Sequence, residues 1–245
     1  MAGERPTAQT HSVDKKSDTV LRSIKSFVKR EGRMTPGQKR ALEKLWPSYG
    51  INLCSKRIDI ETVFEHPGPT ILEIGFGMGE AITKMAADNP ADNFLGIEVH
   101  RPGVGRLLAT ADTLKLNNLR IICADAVDVL KDHLTDNSLY RIQIFFPDPW
   151  HKKKHHKRRL IQADFVALMG QKIKPGGYLH IATDWHHYAE HIVRIMQTCQ
   201  GFENVADEKL FVKRPSYRPL TRFEQRGRRL GHGVWDMLFQ KVGGS

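Results

Sequence analysis

From Pro69 onward, short apolar runs alternate with amphipathic stretches. Thr70–Gly75 (TILEIG), Phe94–Val99 (FLGIEV), Leu119–Ala124 (LRIICA), Arg141–Phe146 and Tyr178–Thr183 are near-continuous apolar runs, the pattern of strands buried on both faces. Helical spacing fills the gaps: Met78–Asp88, Pro102 to about Leu116, a short stretch around Val127–His133, Arg158–Lys172 and Trp185–Gln200. Pro175-Gly176-Gly177 turns the chain into the fifth strand, and Val234–Lys241 (VWDMLFQK) reads as a last strand. This alternation predicts an α/β fold, a doubly wound and mainly parallel sheet with right-handed crossovers.

Before Pro69 the pattern is irregular. Residues 1–20 are polar and patternless and are expected to be a disordered tail. Residues 21–66 read as a basic N-terminal arm that docks either on the body or on a ligand. The arm opens with LRSIKSFVKREGR (21–33), and Thr35 then caps a helix with Pro36 at its first position that runs to Trp46. Residues 67–243 form the main domain.

Charge changes the picture. The formal net charge is +11, yet residues 15–40, 151–159 and 209–229 carry +7, +6 and +7, which leaves −9 for everything else. A mildly acidic body with three basic segments points to nucleic acid or another polyanion. Cys54, Cys123 and Cys199 are far apart and lack CxxC spacing, so neither a disulfide framework nor a cysteine zinc site is expected. No apolar run approaches membrane-spanning length and no signal-peptide core is evident, so a cytoplasmic protein is expected.

Four acids close the first four predicted strands: Glu73, Glu98, Asp125 and Asp148. In a parallel sheet they share one edge, where ligands of open α/β sheets bind. They suit either a metal or the hydroxyls, amino group and positive charge of a cofactor. Gly75-Phe76-Gly77-Met78-Gly79 follows the first strand, with GxGxG rather than GxGxxG spacing. Glu73 just before that loop is awkward beside a pyrophosphate but favourable beside a sulfonium and an α-amino group. The residues therefore favour S-adenosylmethionine (SAM) over a nicotinamide or flavin.

The stretch Ile144–Arg159 (IFFPDPWHKKKHHKRR) brings the strand pattern and the charge pattern together. A buried strand stops abruptly at Pro147-Asp148-Pro149-Trp150, and a run of six lysines and arginines follows. Trp150 is expected to be exposed and able to stack a base, whereas Phe146 suits either stacking or the core. His151 and His155 are four apart, but so basic a run repels a dication, and no metal is expected.

At these residues the chain resembles the bacterial tRNA (guanine-N7)-methyltransferases. The blocks that carry the resemblance are LEIGFGMGE (72–80), GIEVHRPGVG (96–105), FFPDPWHKKKHHKRR (145–159), TDW (183–185) and RPLTRFEQRGRRLGHGVWDM (218–237). The resemblance implies a class I SAM-dependent (Rossmann-like) fold, a seven-stranded mainly parallel sheet with helices on both faces. It also implies methylation of the variable-loop guanine of tRNA. By position, Glu73, Gly75, Gly77, Glu98, Asp125 and Asp148 would bind the cofactor, with Asp148 also catalytic. Lys152, Asp184, Thr221, Arg222, Phe223 and Glu224 would contact the substrate, and Lys154, His155, His156, Lys157, Arg158 and Arg159 the RNA. The implied partner is tRNA, bound by a monomer or homodimer with no membrane association.

Guanine N7 carries an in-plane lone pair and no proton, so methyl transfer to it needs no base to create the nucleophile. Asp148 is accordingly expected to orient the guanine and stabilise its developing charge. Glu224, the lone acid of its arginine-rich segment, either pairs with a neighbouring arginine or reads a base or the cofactor's amino group. Two other readings stay open. PDPW has the composition of the DPPW-type loop of adenine-N6 methyltransferases, in a different order, and the basic segments alone would suit a non-catalytic RNA-binding protein on a SAM fold. A dehydrogenase finds no support, since nothing resembles a hydride-transfer site.

Overall fold

The computed structural model describes residues 32–54, 57–206, 209–229, 231 and 233–243, with the backbone alone at 222, 223 and 228. The expected disordered tail and the segment 21–31 of the basic arm lie outside the described residues. Five parallel strands form where the apolar runs fall: β1 (Thr70–Ile74), β2 (Asn93–Ile97), β3 (Leu119–Ile122), β4 (Leu139–Phe145) and β5 (Ile173–Thr183). β6 (Phe202–Asn204) and β7 (Trp235–Lys241) complete a seven-stranded sheet in the order β3-β2-β1-β4-β5-β7-β6, with β7 antiparallel to both neighbours. The order reverses between β1 and β4, which opens a crevice at the carboxyl ends of those strands.

Alternation along each strand sorts the two cores. Leu72, Leu95, Ile142 and Ile181 meet α6 (Ala163–Lys172) and α7 (His186–Thr198) on one face. Ile71, Phe94 and Ile121 meet α1 (Pro36–Tyr49), α3 (Glu80–Asp88) and α4 (Arg101–Thr113) on the other. Fully buried leucines such as Leu72 and Leu95 contribute roughly 1.5–3 kcal/mol each.

Several boundaries differ from the sequence pattern. The segment expected as an arm docks on the body over its described part: Ala41 and Tyr49 pack against α4, and Ile58, Ile60 and Phe64, around the short α2 (Ile60–Val63), enter the opposite core. The helix expected from Arg158 starts only at Ala163. The basic run instead forms a 3-10 turn over Lys153–Arg158, because its four lysines and arginines with no acid offer no favourable i,i+4 pairs. The stretch near Val127 is one α turn, α5 (Ala126–Asp128), followed by a π turn over Val129–His133. Pro175-Gly176-Gly177 does not precede β5 but bulges within it, between the pairings Leu139–Ile173 and Arg141–Tyr178. β6 and α8 (Arg222–Arg229) carried no apolar period to announce them.

Over β4, β5 and β7 the face that α1, α3 and α4 leave open is covered by the C-terminal segment around Tyr217–Glu224. Arg141, Gln143, His180 and Asp236 form a buried polar stripe beneath it. Among the described residues no helix is long and apolar enough to cross a membrane.

Candidate active site

The glycine loop leaves β1 with Gly75, Gly77 and Gly79 all at positive φ, a conformation that side-chain-bearing residues rarely adopt. Gly103 lets α4 close on this loop, since a Cβ there would sit 2.0 Å from the Gly77 carbonyl oxygen. The loop is also held from the far side: Glu98 Oε2 accepts from the Gly77 N–H at 2.9 Å, while Oε1 accepts from Val99 and His100 N–H at 2.7 and 2.9 Å.

Below the loop lies a cavity of about 580 Å³ between the ends of β1, β2, β3 and β4. Gly75, Glu98, Asp125 and Asp148 line it, with Ile97, Ala124 and Ile144 as apolar walls and no lysine or arginine among its described lining residues. Asp125 caps α5 by accepting from the Val127 N–H at 3.1 Å. Three of the four predicted acids therefore converge, together with Gly75. Such a lining suits a cationic, phosphate-free ligand and would repel a pyrophosphate.

Glu73 does not line this cavity. Strand alternation turns it to the other face, where its carboxylate accepts from Gln143 Nε2 at 2.8 Å in full burial. Burial pushes its pKa up to about 7, against the lowering effects of the Gln143 hydrogen bond and the Arg141 charge. Gly77 likewise stays outside the lining and acts through its bond to Glu98.

Asp148 is exposed at the cavity mouth, and its Oδ1 accepts from the Trp150 N–H at 3.0 Å. Phe146 and Trp150 on either side have φ of 53° and 46°. Bulky residues in this region are strained, and such strain concentrates at functional sites. Trp150 is half-buried rather than exposed: it lines the cavity, with Arg158 over its ring at 5.1 Å and His155 edge-on at 5.8 Å. Phe146 lines the cavity too, and its N–H is tied to the Ala182 carbonyl at 2.8 Å.

The basic turn divides into two groups. Lys152, Lys154 and Lys157 are exposed, and His155, His156 and Arg158 are partly so. Arg159 departs from the expected RNA contact: only 3% exposed, it donates from Nε to the Pro149 carbonyl at 2.9 Å and lies over the Tyr188 ring. It holds the Pro147–Trp150 loop from below. Asp184 follows the end of β5, and beside it the exposed Trp185 meets His151 edge-on at 4.3 Å.

Thr221 lies in a second hollow of about 660 Å³, which it shares with Met78 of the glycine loop, Glu80 and Gln38. Its Oγ1 caps α8 by accepting from the Glu224 N–H at 3.2 Å, a role not anticipated from the sequence. Arg222 and Phe223 open α8; only their backbone is described. Glu224 is 1% exposed and bonded to Arg218, the outcome in which it pairs with an arginine. Arg218, His180 and Asp236 were not anticipated as site residues, although Arg218 and Asp236 stand inside the RPLTRFE…GVWDM block. Among the described residues His186, His187 and Glu190 bring potential metal-ligating atoms within 4.8 Å of one another, all exposed on the first turns of α7.

The family model described as "Putative methyltransferase" matches residues 67–237. A protein of Alcanivorax borkumensis named tRNA (guanine-N(7)-)-methyltransferase is 52% identical over 231 residues, covering 94% of this chain and 97% of its own. One of the same name from Vibrio cholerae is 53% identical over 224 residues, covering 91% and 94%. A solved SAM dependent methyltransferase from Aquifex aeolicus superposes with a TM-score of 0.50 at 14% identity, over 84% of this chain and 89% of its own, a likeness of fold alone.

Proposed function

The chain belongs to the tRNA (guanine-N(7)-)-methyltransferase family, and from that premise we infer that it transfers the methyl group of SAM to N7 of a guanine in tRNA. We place that guanine in the variable loop. The observation that carries the reading is the convergence of Glu98, Asp125 and Asp148 on one cavity without a lysine or arginine in its described lining, at the foot of a basic turn.

When bound, SAM would supply an electrophilic methyl group carried on a sulfonium, with the neutral thioether as leaving group. Glu98 suits the ribose hydroxyls while fixing the glycine loop through its bond from the Gly77 N–H and tying it to the chain after β2 through Val99 and His100. Asp125 stands at the rim where the far end of the ligand would rest, and the Gly75 backbone permits close approach. Glu73 belongs to the support beneath the loop.

Asp148 orients the guanine. Its carboxylate is an acceptor for the N1–H and N2–H edge, and its charge stabilises the cation that grows on the ring as N7 is alkylated. The strained Phe146 and Trp150 hold that carboxylate at the mouth, and Trp150 offers a ring to the incoming base. Lys152, Lys154, Lys157 and Arg158 form the phosphate-binding face, and we assign Asp184 and Thr221 as further substrate contacts. We assign the catalytic unit to residues 67–243 and place the enzyme in the cytoplasm, acting without a metal as a monomer or homodimer.

Incubation with methyl-labelled SAM and unmodified tRNA, followed by cleavage specific for 7-methylguanine, tests the reaction. Label recovered only in N6-methyladenine would replace this reading with an amino-group transfer. Asp148→Asn and Asp148→Ala should be similarly slow at saturating SAM. Full activity in both would remove Asp148 from the mechanism.

A further inference from the structure

Arg218 is 1% exposed and lies between two carboxylates that are themselves buried. Its Nε and Nη2 donate to Asp236 at 2.6 and 2.8 Å, and its Nη1 and Nη2 donate to Glu224 at 2.6 and 3.4 Å. Asp236 also accepts from His180 Nε2 at 2.9 Å, and His180 Nδ1 accepts from the Tyr217 hydroxyl at 3.0 Å. This pattern makes His180 a neutral imidazole with its proton on Nε2. The Arg141 guanidinium stacks on Tyr217 at 3.9 Å. A planar, always charged fork fits two carboxylates in this way, and a lysine cannot.

Burying such a cluster is a poor route to stability, because desolvation cancels most of the attraction. What the cluster does supply is fixed geometry among three pieces of chain. Asp236 is on β7. Glu224 is in the first turn of α8, whose cap is Thr221. The Arg218 guanidinium also lies 5.7 Å over both the Phe145 and Phe146 rings, where β4 leaves the sheet toward Asp148. One cation thus touches the base of the loop that carries Asp148 and the turn that carries Thr221.

We propose that Arg218 is a positioning residue for methyl transfer, setting Thr221 against the exit of β4 so that both sides of the substrate entrance are held in register with Asp148. Glu224 then acts through Arg218 and does not touch the RNA. The inference rests on the reading of the chain as a guanine-N7 methyltransferase.

Arg218→Lys and Glu224→Gln test it, with wild type alongside. Neither residue lines the SAM cavity, so SAM affinity should stay within about threefold of wild type by calorimetry. Single-turnover methylation of saturating tRNA should fall at least 30-fold while tRNA affinity changes less than about threefold. The double variant should be no slower than the worse single one, because both remove the same constraint. Independently of activity, amide exchange at Glu224 and Gln225, whose N–H groups bond to Thr221, should accelerate at least tenfold while β1 and β2 stay protected. Wild-type rates in folded variants, multiplicative losses in the double variant, or unchanged exchange would each overturn the positioning role. If Arg218→Lys does not fold, Glu224→Gln still decides by the same rate and exchange readouts. A wild-type product lacking 7-methylguanine would strike at the functional reading, which the exchange experiment does not depend on.

Discussion

Glu73 and Gln143 face each other across β1 and β4, the amide donating to the carboxylate at 2.8 Å in a space closed to solvent. Burial outweighs that bond and the nearby Arg141, and raises the Glu73 pKa from 4.5 to about 7. Between those values the folded state holds the proton more tightly than the unfolded state. Stability from this group is therefore fully present below about pH 4.5, declines as pH rises toward 7, and is flat above. At about 1.4 kcal/mol per pKa unit the loss is on the order of 3 kcal/mol. Glu73→Gln, which keeps an acceptor for Gln143, should remove this component. Urea unfolding of both proteins at pH 5, 6, 7 and 8 checks it, and parallel stability curves would contradict it.

Arg159 and Lys154 stand in one basic run but should behave oppositely. Arg159→Ala removes a buried charged donor from the Pro149 carbonyl and should cost about 1–3 kcal/mol of stability. It should slow turnover by loosening the Asp148 loop while leaving the salt dependence of tRNA binding unchanged. Exposed Lys154→Ala should leave stability within about 0.5 kcal/mol. The same change should reduce the logarithmic salt slope by about 0.7–0.9. Thermal melts and filter binding across a salt series separate the two.

Glu98→Gln exchanges an acceptor-only carboxylate for a group with one acceptor oxygen and an NH₂. One side of the carboxylate accepts from Gly77 and the other from Val99 and His100. The amide must leave one side unmatched, which costs about 1–3 kcal/mol. SAM affinity should fall at least tenfold by calorimetry, with little change in tRNA affinity.

Gly103→Ala would place a Cβ 2.0 Å from the Gly77 carbonyl oxygen, so α4 or the glycine loop must shift. Overpacking of this kind costs typically 1–3 kcal/mol. The expected result is weakened SAM binding with tRNA affinity retained. A variant that binds SAM as wild type does would show that α4 does not buttress the loop.

The strands and most helices were legible because burial on both faces of a parallel sheet leaves an uninterrupted apolar run, as at Phe94–Ile97. The phased acids were legible because one βα unit spans nearly constant length, which put Glu98, Asp125 and Asp148 at one edge. β6 escaped notice because three residues show no period, and α6 was begun too early because charge repulsion in 153–158 opposes a helix that composition alone permits.

The identity of the ligand-binding edge, the basic turn beside it and the kinship of the chain were all carried by residue type and spacing, which survive in a linear string. The direction of each side chain was not. Glu73 points to the far face because β1 alternates, Arg159 turns inward because Pro149 offers a carbonyl beneath the loop, and Glu224 is closed off because Arg218 and Asp236 meet it from distant positions. Those outcomes depend on which strands lie side by side and on what covers the sheet over β4, β5 and β7, and only the packed chain decides them.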